Sequence, residues 1–290
     1  VSLHSGIAIR NALVAKGYEV RLLDMTELLL SKGDLSAFRG SERPDAAFLA
    51  VHGTNAEDGA IQGLLQLLHI PYTGSGIQAS AIAMDKQRTK QILDACGLPV
   101  PAGEHLTARD QPFTVLPPLI VKPNAQGSTV GLSFVHEDSE LEQALDRAFR
   151  YDTSVLVEEW VVGTEISVPV LGDRVLPVVE IAPRGGQYDF AAKYTPGATD
   201  EIVPARLPQH VYERAQQYAL QAHRALGCEG ATRTDMIVRG EDIFILEVNT
   251  LPGMTGTSLL PNSAQAAGIP FEDLVDWILQ DALRRHGAKT

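Results

Sequence analysis

Two runs near the C-terminal end, residues 231–238 and 243–249, are apolar strands interrupted at regular positions by polar side chains, and the polar turn Arg239-Gly-Glu-Asp242 lies between them. This pattern predicts a β-hairpin. Side chains alternate faces along a strand, so Arg233 and Asp235 share one face, and Glu247 and Asn249 share one face. Asp235 and Glu247 stand six residues either side of Glu241, which sets them side by side when the hairpin closes. The segment 250–258 that follows, Thr-Leu-Pro-Gly-Met-Thr-Gly-Thr-Ser, is a small-residue loop leaving the carboxylate strand.

The same reading organises the rest of the chain. A helix is predicted from Ser2, a plausible cap, to the stop at Gly17, followed by strands at 18–24 and 46–51 and a helix over 60–68. Alternating strands and helices indicate a parallel α/β layer. A turn-rich stretch, Pro71-Tyr-Thr-Gly-Ser-Gly76, precedes one helical run over 77–96. Then the pattern changes to strands at 119–123, 132–135 and 154–161 around a helix at 139–149, which reads as a small α+β unit. Strands at 165–170 and 175–181, a helix over 208–226, the hairpin and a terminal helix over 271–286 form a second α+β unit. In that last helix Leu274, Trp277, Ile278 and Leu283 make one apolar stripe. The long segment 184–199 shows no evident structure and reads as a functional loop. The predicted division is 1–77, 78–160 and 161–290. An α/β unit ordinarily opens on a strand, so a strand and loop upstream of Val1 are expected.

Composition narrows the classes. The 290 residues suit about two domains of ordinary size, with 44% apolar and 21% charged residues. A net charge of −12 argues against a nucleic-acid partner. No apolar run approaches a membrane span and no signal peptide is visible, so a cytoplasmic protein without membrane attachment is expected. Cys96 and Cys228 read as buried thiols rather than a disulfide or metal pair.

The candidate chemistry is spread along the chain. Hard oxygen donors without His or Cys, as at Asp235, Glu247 and Asn249, suit Mg²⁺ held together with substrate phosphates; a polar outer face on an edge hairpin is the other reading of the same residues. Lys122 ends the apolar strand 119–123, where it either reaches a phosphate as a point charge or snorkels at the surface. The loop 126–131, Gln-Gly-Ser-Thr-Val-Gly, either lays backbone N–H groups over phosphates or is an ordinary hairpin turn. Glu158 or Glu159, ending the strand 154–161, can accept from an adenine amino group or be an exposed acidic strand end. His52 stands at the C-terminal end of a strand, where open α/β sheets place ligands; the other reading is a loop histidine without a role.

In this order, Val1-Ser-Leu-His-Ser-Gly6, Val51-His-Gly-Thr-Asn-Ala-Glu-Asp-Gly59, Pro71-Tyr-Thr-Gly-Ser-Gly76, Met84-Asp-Lys86, Val121-Lys-Pro123, Gly127-Ser-Thr-Val-Gly131, Ala192-Lys-Tyr194, Arg233-Thr-Asp235 and Leu246-Glu-Val-Asn-Thr-Leu-Pro-Gly-Met-Thr255 resemble the signatures of the D-alanine–D-alanine ligases of the ATP-grasp superfamily. The resemblance covers the whole chain and its specificity lies in the joint order. It implies a three-domain ATP-grasp fold with an N-terminal Rossmann-like parallel-sheet domain. It also implies ATP-dependent joining of two D-alanines through an acyl phosphate, feeding peptidoglycan synthesis. A depsipeptide variant joining D-alanine to D-lactate is the near alternative, against which Tyr194 speaks. A catalytically idle nucleotide-binding relative is another, against which the intact set Arg233, Asp235, Glu247 and Asn249 speaks.

The resemblance further assigns roles. Asp235, Glu247 and Asn249 match ligands of two Mg²⁺ ions, with Mn²⁺ a substitute and a monovalent cation a further expectation. Lys86, Lys122 and Lys193 match ATP-binding lysines, Glu158, Glu159 and Val161 the adenine-binding hinge, and Glu165 the ribose acceptor. Arg233 and the N–H of Gly253 match an oxyanion hole; Ser258 and the N–H of Leu259 match the holder of the second substrate's carboxylate. His52 falls beside the first D-alanine, and Ser128 and Tyr194 link the glycine loop to the long loop. The family's glutamate for the first substrate's ammonium would precede Val1. A homodimer through the N-terminal domain is also implied.

Overall fold

The computed structural model describes residues 2–25, 34–127, 129–184 and 198–287. Two antiparallel sheets dominate it. The smaller, in the order β1-β4-β2-β3, is built from β1 (Gly103–Leu106), β2 (Leu119–Pro123), β3 (Ser133–Val135) and β4 (Val155–Glu159). Helix α5 (Asp138–Phe149), which follows β3, covers one face. Leu119, Val121, Val155 and Val157 point into the shared core with Ala144, Leu145 and Ala148. The alternate positions, Lys122 and Glu158, therefore face the other way.

The larger sheet has six strands: β5 (Thr164–Leu171), β6 (Arg174–Val175), β7 (Val179–Pro183), β8 (Thr199–Ile202), β9 (Ala231–Arg239) and β10 (Asp242–Asn249). Ile166, Val168, Met236, Val238, Ile243, Ile245 and Val248 line one face and pack against α6 (Gln209–Ala225). Two further helices, α3 (Ile77–Met84) and α4 (Lys86–Ala95), send Ala79, Ala83 and Leu93 into this same core. The single helical run predicted over 77–96 is thus two helices. Asp85, at φ −83° and ψ 97°, interrupts the first and caps the second, its Oδ1 accepting from the Arg88 N–H at 3.0 Å.

Helix α1 (Ser2–Ala15) lies against the terminal helix α8 (Phe271–Gly287), with Ile9, Ala12 and Leu13 beside Leu274, Val275 and Ile278. Helix α2 (Ala60–Leu67) closes a small core with Phe38, Ile70 and Tyr72. The segments 18–24 and 46–51 form no ladder among the described residues, where the parallel pairing present is the bridge Ala47–Tyr72. Alternation predicts extended backbone; a ladder also needs a neighbour aligned on its edge. The run expected at 175–181 is split between β6 and β7, and β1 and β8 were not anticipated. Cys228 is buried as expected, whereas Cys96, at the C-cap of α4, is exposed.

One buried polar pair makes the fold sensitive to acid. His223 on α6 is buried and bonds Thr232 of β9 through Nδ1 at 2.8 Å. Burial pushes its pKa down to about 4, while an unfolded histidine titrates near ~6.5. Between those values the unfolded chain binds a proton that the native chain refuses. The stability held above pH ~6.5 is therefore lost as pH falls towards 4, by an amount on the order of 3 kcal/mol. Urea melts at several pH values should show this fall, and His223→Gln should flatten it; an unchanged slope in the variant would reject the assignment.

Candidate active site

A cleft of about 350 Å³ separates the two sheets. Lys86, Lys122, Glu158, Glu159, Val161, Glu165, Asp235 and Glu247 all border it. On the large sheet the lining follows from register: Ile237, Glu165 and Ile181 stand in one cross-strand row, and Asp235 and Ser167 in the next.

The hairpin of β9 and β10 places the carboxylates through an irregularity. Ile245 pairs with Met236, but Glu247 pairs with Asp235, so Leu246 is an extra residue in the ladder. Leu246 and Glu247 consequently lean to the same side and both line the cleft. Ile243 and Ile245 lie on the core side before the bulge, and Val248 lies there after it. Glu247 thus stands opposite Asp235, as expected, and Asn249 opposite Arg233.

Asp235 is buried and well held. Arg233 donates to both its oxygens, at 2.9 and 2.8 Å, and the Ser167 hydroxyl donates to Oδ1 at 2.6 Å. Glu247 Oε2 lies 3.3 Å from Lys86 Nζ, which also donates to the Gln126 carbonyl at 2.8 Å. Lys86 and Lys122 are each 8% exposed, which removes the snorkelling reading for Lys122. Asn249 Oδ1 accepts from the Leu251 N–H at 2.9 Å. Among the described residues no three His, Cys, Asp or Glu side chains gather as a metal cluster. Two carboxylates and an amide oxygen beside a lysine-lined cleft fit a hard cation that shares its coordination with phosphate oxygens.

At the other wall, Glu158 is 2% exposed and bridges two lysines: Lys122 Nζ lies 2.8 Å from Oε2 and Lys90 Nζ 3.0 Å from Oε1. Burial alone would push its carboxyl up; attraction from Lys122 and Lys90 outweighs this and holds it below the usual range. Glu159 points to the rim and pairs with Arg239 at 2.6 Å. Lys90 was missed in the sequence, although its place four residues after Lys86 on a helix puts both on one face. The glycine loop is the turn of the β2–β3 hairpin, and its Thr129 and Val130 line the cleft. Gly131 has φ +75°, and a Cβ there would meet Pro123 Cγ at 2.7 Å, so any other residue would strain the backbone and displace Pro123.

The remaining described candidates do not line this cleft. Ser258 occupies the N-cap position of an unanticipated helix, α7 (Leu259–Ala266), without a side-chain capping bond, and the first turn packs Leu259 beside Val179 and Ile181. Its hydroxyl accepts from the Thr255 N–H at 3.0 Å, and a Cβ on Gly253 would come within 2.9 Å of that same oxygen. Glycine is thus needed where loop 250–258 crosses the helix start. Ser5 Oγ accepts from the Met254 N–H at 3.3 Å, tying α1 to this loop. His52 is half-buried, with Nδ1 3.9 Å from Glu57 Oε1. Glu201 of β8 accepts from Asn262 of α7, and burial raises its carboxyl. Ser128, Lys193 and Tyr194 lie outside the described residues.

Comparison with known proteins decides the family. The sequence profile of the D-ala D-ala ligase C-terminus matches residues 105–280, and that of the N-terminus matches 30–75. The chain belongs to the D-alanine–D-alanine ligase family. Within that family, the ligase of Trichlorobacter lovleyi is 45% identical over 99% of this chain and 92% of its own length. The ligase of Geotalea uraniireducens is 46% identical over 97% of this chain and 91% of its own. The crystal structure of the Bacillus anthracis ligase complexed with ATP superposes with a TM-score of 0.84 at 35% identity, covering 100% of this chain and 94% of that one. The ATP-grasp architecture is therefore established for this chain, and its use of ATP follows from the family. Among the described residues no helix is long and apolar enough to cross a membrane.

Proposed function

We propose that this chain joins two D-alanines into D-alanyl-D-alanine for peptidoglycan synthesis, driven by ATP. The observation that carries the reading is one cleft lined by two buried lysines and a paired Asp–Glu hairpin, in a chain similar to ligases over nearly its full length. Lys86 and Lys122 hold the phosphates, with Lys193 assigned the same task by resemblance. Glu158, Glu159 and Val161 border the adenine, and Glu165 the ribose. Asp235, Glu247 and Asn249 would hold two Mg²⁺ ions, or Mn²⁺ in their place. When bound, these cations neutralise the phosphate charge that builds up during transfer.

The first D-alanine lies beside His52, and its carboxylate takes up the γ-phosphoryl group. The amine of the second attacks that acyl phosphate. Arg233 and the N–H of Gly253 stabilise the oxyanion of the tetrahedral intermediate, which expels phosphate. Ser258 and the N–H of Leu259, at the start of α7, hold the second carboxylate where the helix dipole favours it. By resemblance, Ser128 and Tyr194 are assigned the closing of the site against water.

The units 1–77, 78–160 and 161–290 are proposed as substrate, lid and catalytic domains. The lid's helices α3 and α4 anchor it, since their apolar faces share the core of the large sheet. A homodimer through the first unit, a cytoplasmic location and a monovalent-cation requirement complete the proposal. Phosphate release with each D- and L-amino acid in turn tests it. D-Alanine alone is expected to give rapid release with stoichiometric dipeptide; when D-lactate is added beside D-alanine, a D-alanyl-D-lactate product as the main outcome would favour the depsipeptide reading.

A further inference from the structure

Glu158 has two cationic partners that differ in kind. Lys122 lines the cleft, whereas Lys90 approaches the carboxylate from behind, on α4, and is itself 8% exposed. One carboxylate between two ammonium groups carries a net charge of +1. With Lys122 alone, Glu158 would neutralise it pairwise and leave no net charge for a nucleotide. A buried ion pair is weak grounds for stability, because desolvation offsets the attraction, so a second buried lysine calls for a reason other than stability.

We propose that Lys90 is a positioning residue for ATP: it neutralises Glu158 from behind, leaves the charge of Lys122 directed at the phosphates, and fixes the Glu158 carboxylate in the adenine pocket. The proposal rests on the assignment of Glu158–Val161 to the nucleobase. It also explains why the lysine comes from α4: that helix is docked in the large-sheet core, so the contact fixes β4 of the small sheet across the cleft.

The cluster is poised to lose this charge. Burial pushes Lys90 down to about 8, against the pull of Glu158, and the neighbouring charges of Lys122 and Lys86 push the same way as burial. The groups facing it are Glu158 from β4, Lys122 from β2 and, on its own helix, Lys86, which is itself paired with Glu247 of β10. Below pH 8 Lys90 keeps its proton and the net charge is +1. Above it the proton leaves and the net charge falls to zero.

Calorimetric titration of ATP into the wild-type chain from pH 7 to 9, without D-alanine, tests this without any substitution. Affinity is expected to weaken roughly tenfold across that range, as a lost charge-assisted contact implies; a flat profile overturns the proposal. Lys90→Met is expected to raise KM for ATP roughly tenfold at pH 7 and to abolish the pH dependence. Turnover at saturating ATP and KM for D-alanine should stay within about threefold, the pattern of a lost binding contact. A variant with lowered Tm and all constants altered alike would make Lys90 merely structural and reject the idea. So would an unchanged KM for ATP in Lys90→Met while Glu158→Gln raises it. If Glu158→Gln leaves ATP binding unchanged as well, the nucleobase assignment itself fails along with the proposal.

Discussion

Asp235→Asn is expected to lower turnover by two to three decades or more at saturating Mg²⁺. The substitution keeps the shape of the side chain and one oxygen to accept from Ser167, but it also breaks the bidentate pair with Arg233, so a Tm measured beside the assay separates lost chemistry from lost stability. What it removes is a negative charge, 5% exposed, at the point where divalent cations and a triphosphate would meet. Breaking a buried charge contact costs roughly 3–5 kcal/mol, which corresponds to that rate loss. Glu247→Gln, on the facing strand, should behave alike. Coupled ADP release over a Mg²⁺ series checks both. Activity within tenfold of wild type would show that the hairpin face is no metal site.

Arg233→Ala should act on turnover rather than on nucleotide binding. Arg233 lies on the cleft face of β9 but does not border the nucleotide cleft, and a donor aimed at a developing oxyanion is worth about 10²–10³ in rate. A loss of that size is expected, with the ATP dissociation constant measured by calorimetry changed little. Its bidentate pair with Asp235 supplies the competing account, in which Arg233 only orients that carboxylate. That account predicts a lowered Tm and weakened Mg²⁺ dependence, whereas the oxyanion role leaves the Mg²⁺ midpoint in place.

Much of this site could be read from the sequence because it is carried by strands, where a two-residue period fixes which side chains share a face. Arg233 and Asp235 follow that rule directly. Glu247 does so for a subtler reason. Near the turn, Asp242 pairs with Arg239, and continuing that register would have set Glu247 opposite Thr234, on the core side. The symmetry about Glu241 holds only because Leu246 is an extra residue, which no count of alternation reveals. Lys122 could be placed at a strand end, but whether it was buried depended on β4 and Glu158 lying beside it. Helix α7 was legible in principle. Ser258 as cap, Leu259 and Leu260 as an apolar start and Pro261 in the first turn are all permitted helix-opening features. The neighbouring small-residue loop disguised it. Lys90 escaped because its partner is 68 residues away and on the other sheet.

The extra residue in β10 also governs how this strand tolerates changes in length. Removing Leu246 would restore an uninterrupted ladder and still leave Glu247 opposite Asp235 and Asn249 opposite Arg233, with only some of the cleft lining lost. Removing Val248 instead would swing Asn249 into the hydrophobic core. Of these two deletions in adjacent turns of the pleat, one is forgiving and the other ruinous. Shortened relatives of this chain would therefore keep their chemistry if the gap falls at the bulge.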